Sequence, residues 1–199
     1  MKIVCLDLEG VLVPEIWIAF AEASGIPELR RTTRDEPDYD KLMRWRLSLL
    51  RERGMKLPDI QAVIEKIEPC EGARAFLDAL REKTQVIILS DTFTQFAGPL
   101  MKKLGRPTIF CNELEADTDG VLTGYRMRVK NSKLATVKAL QSVGFGTIAA
   151  GDSYNDLAMI RASEAGFLFR STDAIIAANP DLPAFTEYGE LYDAAVAAL

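Results

Sequence analysis

Residues 2–12 read KIVCLDLEGVL, from Lys2 through Asp7 to Leu12. The first six are apolar and partly β-branched, and they close on a carboxylate. That predicts a buried parallel strand over 2–7, because a strand covered on both faces shows no polar alternation. Beyond it the pattern is helical: 15–24, with Pro14 near its start and Gly25 as its stop, then a polar connection IPELRRTTRDEPD. An amphipathic helix is predicted over 39–53, ended by Gly54, and Pro58 opens another to about Ile67.

From residue 71 onward the pattern alternates. A helix over 71–83 precedes the strand QVIILSD, and 92–104 reads as a helix with Pro99 as a kink candidate. TIFCN is a strand, and ELEADTDGVLTGYRMRV has two alternating stretches around Asp119-Gly120, the pattern of a β-hairpin. A helix over 132–143, the strand TIAAGD, a helix over 154–163, the strand GFLF and one or two further helices complete the chain. Alternating strands and helices imply an α/β fold with a parallel sheet covered on both faces. The expected division is a core of 1–13 and 72–199, with 14–71 as a helical insert. No internal repeat or low-complexity segment is visible.

The chain has 199 residues, three cysteines, no histidine and a net charge of −5. The acidic balance argues against nucleic acid as the main partner. The cysteines form no CxxC pair, which gives no zinc ribbon and no disulfide framework. Without histidine, Ser-His-Asp triads, Cys-His pairs and His-zinc sites are excluded. The N-terminus does not read as a signal peptide and no apolar run would span a bilayer, so a reduced cytoplasm is the expectation. Neither G-x-G-x-x-G nor GxxxxGK[ST] occurs, so neither a dinucleotide fingerprint nor a P-loop is supported.

Four features lie at the predicted ends of core strands, where open α/β sheets bind ligands. They are DLEGVL from Asp7, LSDT with Ser90, NSKLA with Lys133, and GDSYND with Asp152 and Asp156. Each has an ordinary reading alone. Asp7, Ser90, Asp152 and Asp156 could cap helices or turns, and Lys133 could sit harmlessly on a surface, although a cation in a first helical turn opposes the helix dipole. Together they suit phosphoryl transfer. Asp7 can act as nucleophile, and Mg²⁺, which prefers oxygen donors, can be held by Asp7 and Asp152. Ser90 and Lys133 can bind phosphoryl oxygens, and Glu9 can give and take the proton. Arg46 lies inside an apolar helical stripe with Leu42, Met43, Leu49 and Leu50. It is either a snorkelling arginine or a bidentate carboxylate clamp.

These motifs, in this order, resemble the haloacid dehalogenase superfamily of phosphotransferases over nearly the whole chain. The resemblance implies a Rossmann-like core, an aspartyl-phosphate on Asp7, and residues 14–71 as a small cap domain. It implies Mg²⁺ held by Asp7, Asp152 and the backbone carbonyl of Glu9. The family's first motif is normally D-x-D; here it is Asp7-Leu8-Glu9, which lengthens the proton-transferring side chain by one methylene. Within the superfamily the chain is similar to phosphoserine phosphatases. Their cap binds the substrate ammonium through a Glu, matched by Glu15, and its carboxylate through an Arg, matched by Arg46 in WRLSLL. IEPCEGA resembles their return from cap to core. The resemblance places Ser90, Asp91 and Lys133 at the phosphate and Asn155 at the substrate, with Thr92 and Asp156 in support. LSDTFTQF stands where many of these enzymes have S-G-G-F. With Glu9, this resembles the bifunctional ThrH-type enzymes, which also pass the phosphoryl group from phosphoserine to homoserine. A homodimer is expected only from general frequency. Two other readings stay open: a phosphatase of another small monoester, and a non-catalytic metabolite-binding module.

Overall fold

The computed structural model describes residues 1–32, 35–36 and 38–199. The expected connection through 26–38 therefore includes Thr33, Arg34 and Pro37, which lie outside the described residues. β1 (Lys2–Leu6) is the centre of a seven-stranded sheet. It pairs in parallel with β2 (Gln85–Phe93) on one side and β5 (Gly146–Gly151) on the other. Outward lie β3 (Thr108–Ala116) and β4 (Leu122–Arg126) beyond β2, and β6 (Ala165–Phe169) and β7 (Ala184–Phe185) beyond β5. Every pairing is parallel except that of β3 with β4.

β1 shows why its run has no polar alternation. Val4 and Leu6 enter one core cluster and Ile3 and Cys5 another, on opposite faces of the sheet. The first face is covered by α4 (Ala73–Arg81), α5 (Thr94–Lys103) and α9 (Tyr188–Ala197), through Leu77, Leu100 and Leu191. The second is covered by α6 (Ser132–Ser142), α7 (Leu157–Ala162) and α8 (Asp173–Ala178), through Val137, Ile160 and Ile175.

Between β1 and α4 the described elements are α1 (Ile16–Ser24), a 3-10 turn (Pro27–Arg30), α2 (Tyr39–Glu52) and α3 (Leu57–Ile64). Gly25 ends α1 with φ +71°, a left-handed cap that glycine adopts without steric penalty. These helices share the core cluster of the first sheet face, Trp17 packing on Phe96 at 5.1 Å, and a few polar links add to that contact. Leu57 N–H donates to the Gly120 carbonyl at 2.7 Å, and Gln61 Nε2 to the Gln95 carbonyl at 3.1 Å. Tyr125 Oη donates to Asp40 Oδ1 at 2.8 Å, and Lys103 Nζ to the Glu65 and Ile67 carbonyls.

Four features differ from the sequence expectation. β2 runs on to Phe93, so the following helix starts at Thr94 rather than Thr92. Phe93 pairs with Asn112 after a register shift, and Asn112 Nδ2 donates to the Asp91 carbonyl at 2.9 Å. The predicted helix over 154–163 divides into a 3-10 turn (Tyr154–Asp156) and α7, because Asp156 Oδ2 accepts from the backbone N–H of Asp152 and Ser153 and tightens the turn. β7 was not expected; two residues carry too little pattern to read. The hairpin about Asp119-Gly120 forms, but its first arm continues the TIFCN strand.

Candidate active site

The ends of β1 and β5 lie side by side, so Asp7 and Asp152 are neighbours by topology. Asp7 is buried, its N–H paired with the Ala150 carbonyl and its Oδ1 accepting from Leu8 N–H at 2.7 Å. α6 begins beside them. Asn131 turns the chain with φ +51°, and Lys133 in the first helical turn points inward, 4 % exposed. Its Nζ is 2.9 Å from Asp7 Oδ1 and 2.6 Å from Asp156 Oδ1. The odd position of this cation is thereby explained: two buried carboxylates outweigh the opposing helix dipole.

Two glycines make room. A Cβ on Gly10, where φ is +76°, would meet the Asp152 carboxylate at 2.5 Å, and one on Gly151 would overlap the Asp156 carboxyl. Carboxylate oxygens of Asp7, Asp152 and Asp156 come within 4.8 Å of one another. Burial, then repulsion from Asp156, pushes the Asp7 carboxyl well above its ordinary range despite Lys133. The same two causes, with Glu15 third, push Asp152 up to about 7. Burial works against the Lys133 ammonium, but Asp7, Asp156 and Asp91 outweigh it and hold it protonated. Three carboxylates thus face one ammonium, and the excess negative charge invites a cation. The donors are all oxygen, which suits a hard divalent ion. Asp156 already spends both oxygens on Lys133 and the 152–153 backbone, which leaves Asp7 and Asp152 as the available ligands.

Ser90 is buried at the end of the parallel stretch of β2, its Oγ accepting from Thr92 N–H at 3.2 Å. The next side chain, Asp91, accepts from Ser132 Oγ at 3.0 Å and Asn155 Nδ2 at 3.2 Å. These two bonds make Asp91 a tie between the β2 end, the α6 start and the loop after β5. Ser132, and the buried Asn112 that bridges the Asp91 carbonyl and Arg128 N–H, were not singled out from the sequence; long-range side-chain bonds leave no local pattern.

The carboxylate of Glu9 is apart from the acidic cluster. Its Oε2 accepts from Ile16 N–H at 2.9 Å, at the start of α1. Burial, then Glu15, raises it to about 7, which suits a group that must exchange protons near neutral pH. Glu15 is exposed beside Glu9 and Asp152. Arg46 reaches the same side of the fold from α2. It is 5 % exposed, donates to the Arg31 carbonyl at 2.7 Å, and lies over the Trp17 ring at 4.3 Å. Trp17, on the buried face of α1, carries no sequence signal that sets it apart from helix core.

The model of the haloacid dehalogenase-like hydrolases matches residues 4–161. The chain is 53% identical over 191 residues to the phosphoserine phosphatase ThrH of Pseudomonas aeruginosa, covering 96% of this chain and 93% of that protein. It is also 53% identical to a phosphoserine phosphatase of Pseudomonas syringae pv. tomato, covering 96% and 81% respectively. Among solved structures, an apo phosphoserine phosphatase superimposes with a TM-score of 0.74 over 94% of this chain and 93% of that one, at 23% identity. The order of motifs, the sheet and the extent of these matches agree: the chain belongs to the haloacid dehalogenase-like hydrolases, in the group that holds the phosphoserine phosphatases.

Proposed function

We propose that the protein is a phosphoserine phosphatase that works through a phosphoryl-Asp7 intermediate and also transfers the phosphoryl group to homoserine. The observation that carries this reading is the buried Asp7, held 2.9 Å from Lys133 Nζ and beside Asp152 at the end of the central strands. A bound Mg²⁺, held by Asp7, Asp152 and the Glu9 backbone carbonyl, would supply the positive charge that lets a carboxylate approach a phosphate.

An Asp7 carboxylate oxygen forms a bond to phosphorus while the phosphorus–oxygen bond to serine breaks. Glu9 donates its proton to the departing serine oxygen. Lys133 and Ser90 bind phosphoryl oxygens, and Lys133 carries charge that needs no reorganisation during transfer. In the second step a water, or the homoserine hydroxyl, attacks phosphorus and gives its proton to Glu9, and the Asp7 oxygen is released. Residues 14–71 act as the cap, with Glu15 toward the substrate ammonium and Arg46 toward its carboxylate, and Asn155 also contacts the substrate. The pairing of Glu9 with Asp91-Thr92, shared in resemblance with the bifunctional enzymes, supports homoserine as acceptor. The three free thiols, Cys5, Cys70 and Cys111, suit a reducing cytoplasm, and no described helix is long and apolar enough to cross a membrane.

The test is phosphorus NMR of phosphoserine turned over with Mg²⁺, with and without excess homoserine. Inorganic phosphate alone at every homoserine concentration removes the transfer and leaves the phosphatase. No turnover of phosphoserine, with turnover of other small monoesters, removes the substrate assignment.

A further inference from the structure

The Arg46 guanidinium is buried without a carboxylate within ion-pair distance among the described residues. Its Nη2 is used on the Arg31 carbonyl at 2.7 Å, and Nη1 has only the Met43 sulfur at 3.7 Å. Its Nε is buried and has no hydrogen-bond partner. A desolvated cation with an unpaired donor is costly unless an anion arrives. Trp17 lies against it. The indole lies 4.3 Å from the guanidinium carbon, and its own orientation is set from behind by Phe96 at 5.1 Å and Phe20 at 6.2 Å. Phe96 belongs to α5 of the core, Trp17 to α1 and Arg46 to α2, so the stack registers two inserted helices against the core.

From this geometry we infer that Trp17 is a positioning residue for substrate specificity: it clamps the Arg46 guanidinium by one face so that the free Nε edge is presented to the α-carboxylate of the phosphorylated amino acid. This rests on the reading of Arg46 as the carboxylate site and deepens it. An arginine stem free to rotate would lose directionality with its charge intact, so the indole contributes orientation and charge stabilisation together. Because homoserine carries the same carboxylate, the clamp serves acceptor as well as donor. A substrate without a carboxylate makes no use of it.

The experiment compares phosphoserine with phosphoethanolamine, which lacks only the carboxylate, in the wild type, Trp17→Leu, Trp17→Phe and Arg46→Ala. For Trp17→Leu, KM for phosphoserine rises roughly tenfold, as expected for a desolvated cation–π contact, with kcat nearly kept. KM for phosphoethanolamine stays within about twofold, against the tenfold that each 1.4 kcal/mol of lost selective binding gives. Trp17→Phe, which keeps a ring against Phe96, lies between, and it decides the matter if the leucine variant does not fold. Equal losses on both substrates, or an unchanged KM ratio in both Trp17 variants, overturn the inference. A wild type with no preference for phosphoserine overturns the Arg46 reading beneath it instead. A preference abolished by Arg46→Ala but untouched by Trp17 substitution removes the Trp17 role alone.

Discussion

In the proposed mechanism the chemistry turns on Asp7, and a substitution there separates nucleophilic from structural roles. Asp7→Asn keeps the shape, the Leu8 N–H bond and a polar group near Lys133, but an amide cannot form the acyl phosphate. Phosphate release is expected to fall at least about a thousandfold, or about 4 kcal/mol of barrier, while circular dichroism stays that of the wild type. Turnover near wild type in freshly purified protein, with deamidation excluded by mass spectrometry, would sink the mechanism. At this scale the sequence was informative where a residue's type clashed with its local setting. Lys133 in a first helical turn and Arg46 in an apolar stripe both advertised distant partners, and both have them. Trp17 and Asn112 did not, since an aromatic on a helix face and an asparagine in a strand suit their local settings. Their partners, Arg46 and Asp91, lie on other elements.

The site is also a meeting of element ends: β1, β5 and α6 bring three carboxylates to one ammonium. If the cluster holds Mg²⁺ as proposed, it is arranged for a ligand at the expense of the metal-free protein. Asp152→Asn removes one repelling charge without changing shape. In chelator-treated protein it is expected to raise Tm by about 2–4 °C, the effect of roughly 1 kcal/mol in a domain of this size. Wild-type Tm rises with Mg²⁺ through linkage, and the variant loses most of that rise. Paired thermal scans with EDTA and with Mg²⁺ check both halves. A variant less stable than wild type in EDTA, with an unchanged Mg²⁺ shift, would show that Asp152 belongs to the structure and not to the metal. Existence and type were readable for most elements, because α2 and α4 carry strong apolar periods and β1 is an unbroken apolar run buried on both faces. Ends were not. β2 overran its expected limit through a backbone pairing of Phe93 with Asn112 that the Asn112 side chain supports, and the turn before α7 tightened around the Asp156 side chain; neither has a sequence period.

For the whole molecule, the problem is access: Asp7 and Lys133 are each 4 % exposed, and in the proposed mechanism the inserted helices move to admit the substrate. The described polar links between those helices and the core are few and separable. One of them joins Tyr125 Oη on β4 to Asp40 Oδ1 in the first turn of α2, the helix that carries Arg46. The Tyr125 ring also meets Tyr39 and Phe93 edge-on at 6.0 Å each, so Tyr125→Phe deletes the hydroxyl and leaves the ring packing. A hydrogen bond of this kind contributes about 0.5–1.5 kcal/mol, enough to raise the open population by roughly two- to tenfold. In the proposed mechanism opening admits water to phosphoryl-Asp7, whereas closure over a bound amino acid favours its hydroxyl by proximity. Tyr125→Phe is therefore expected to lower the ratio of phosphohomoserine to inorganic phosphate at fixed homoserine, while total phosphoserine consumption falls less than about twofold. Phosphorus NMR reads both quantities in one sample. An unchanged ratio would mean that this link does not govern closure. A ratio that falls only in step with total turnover would mean that the substitution damages the site and leaves the partition between acceptors untouched.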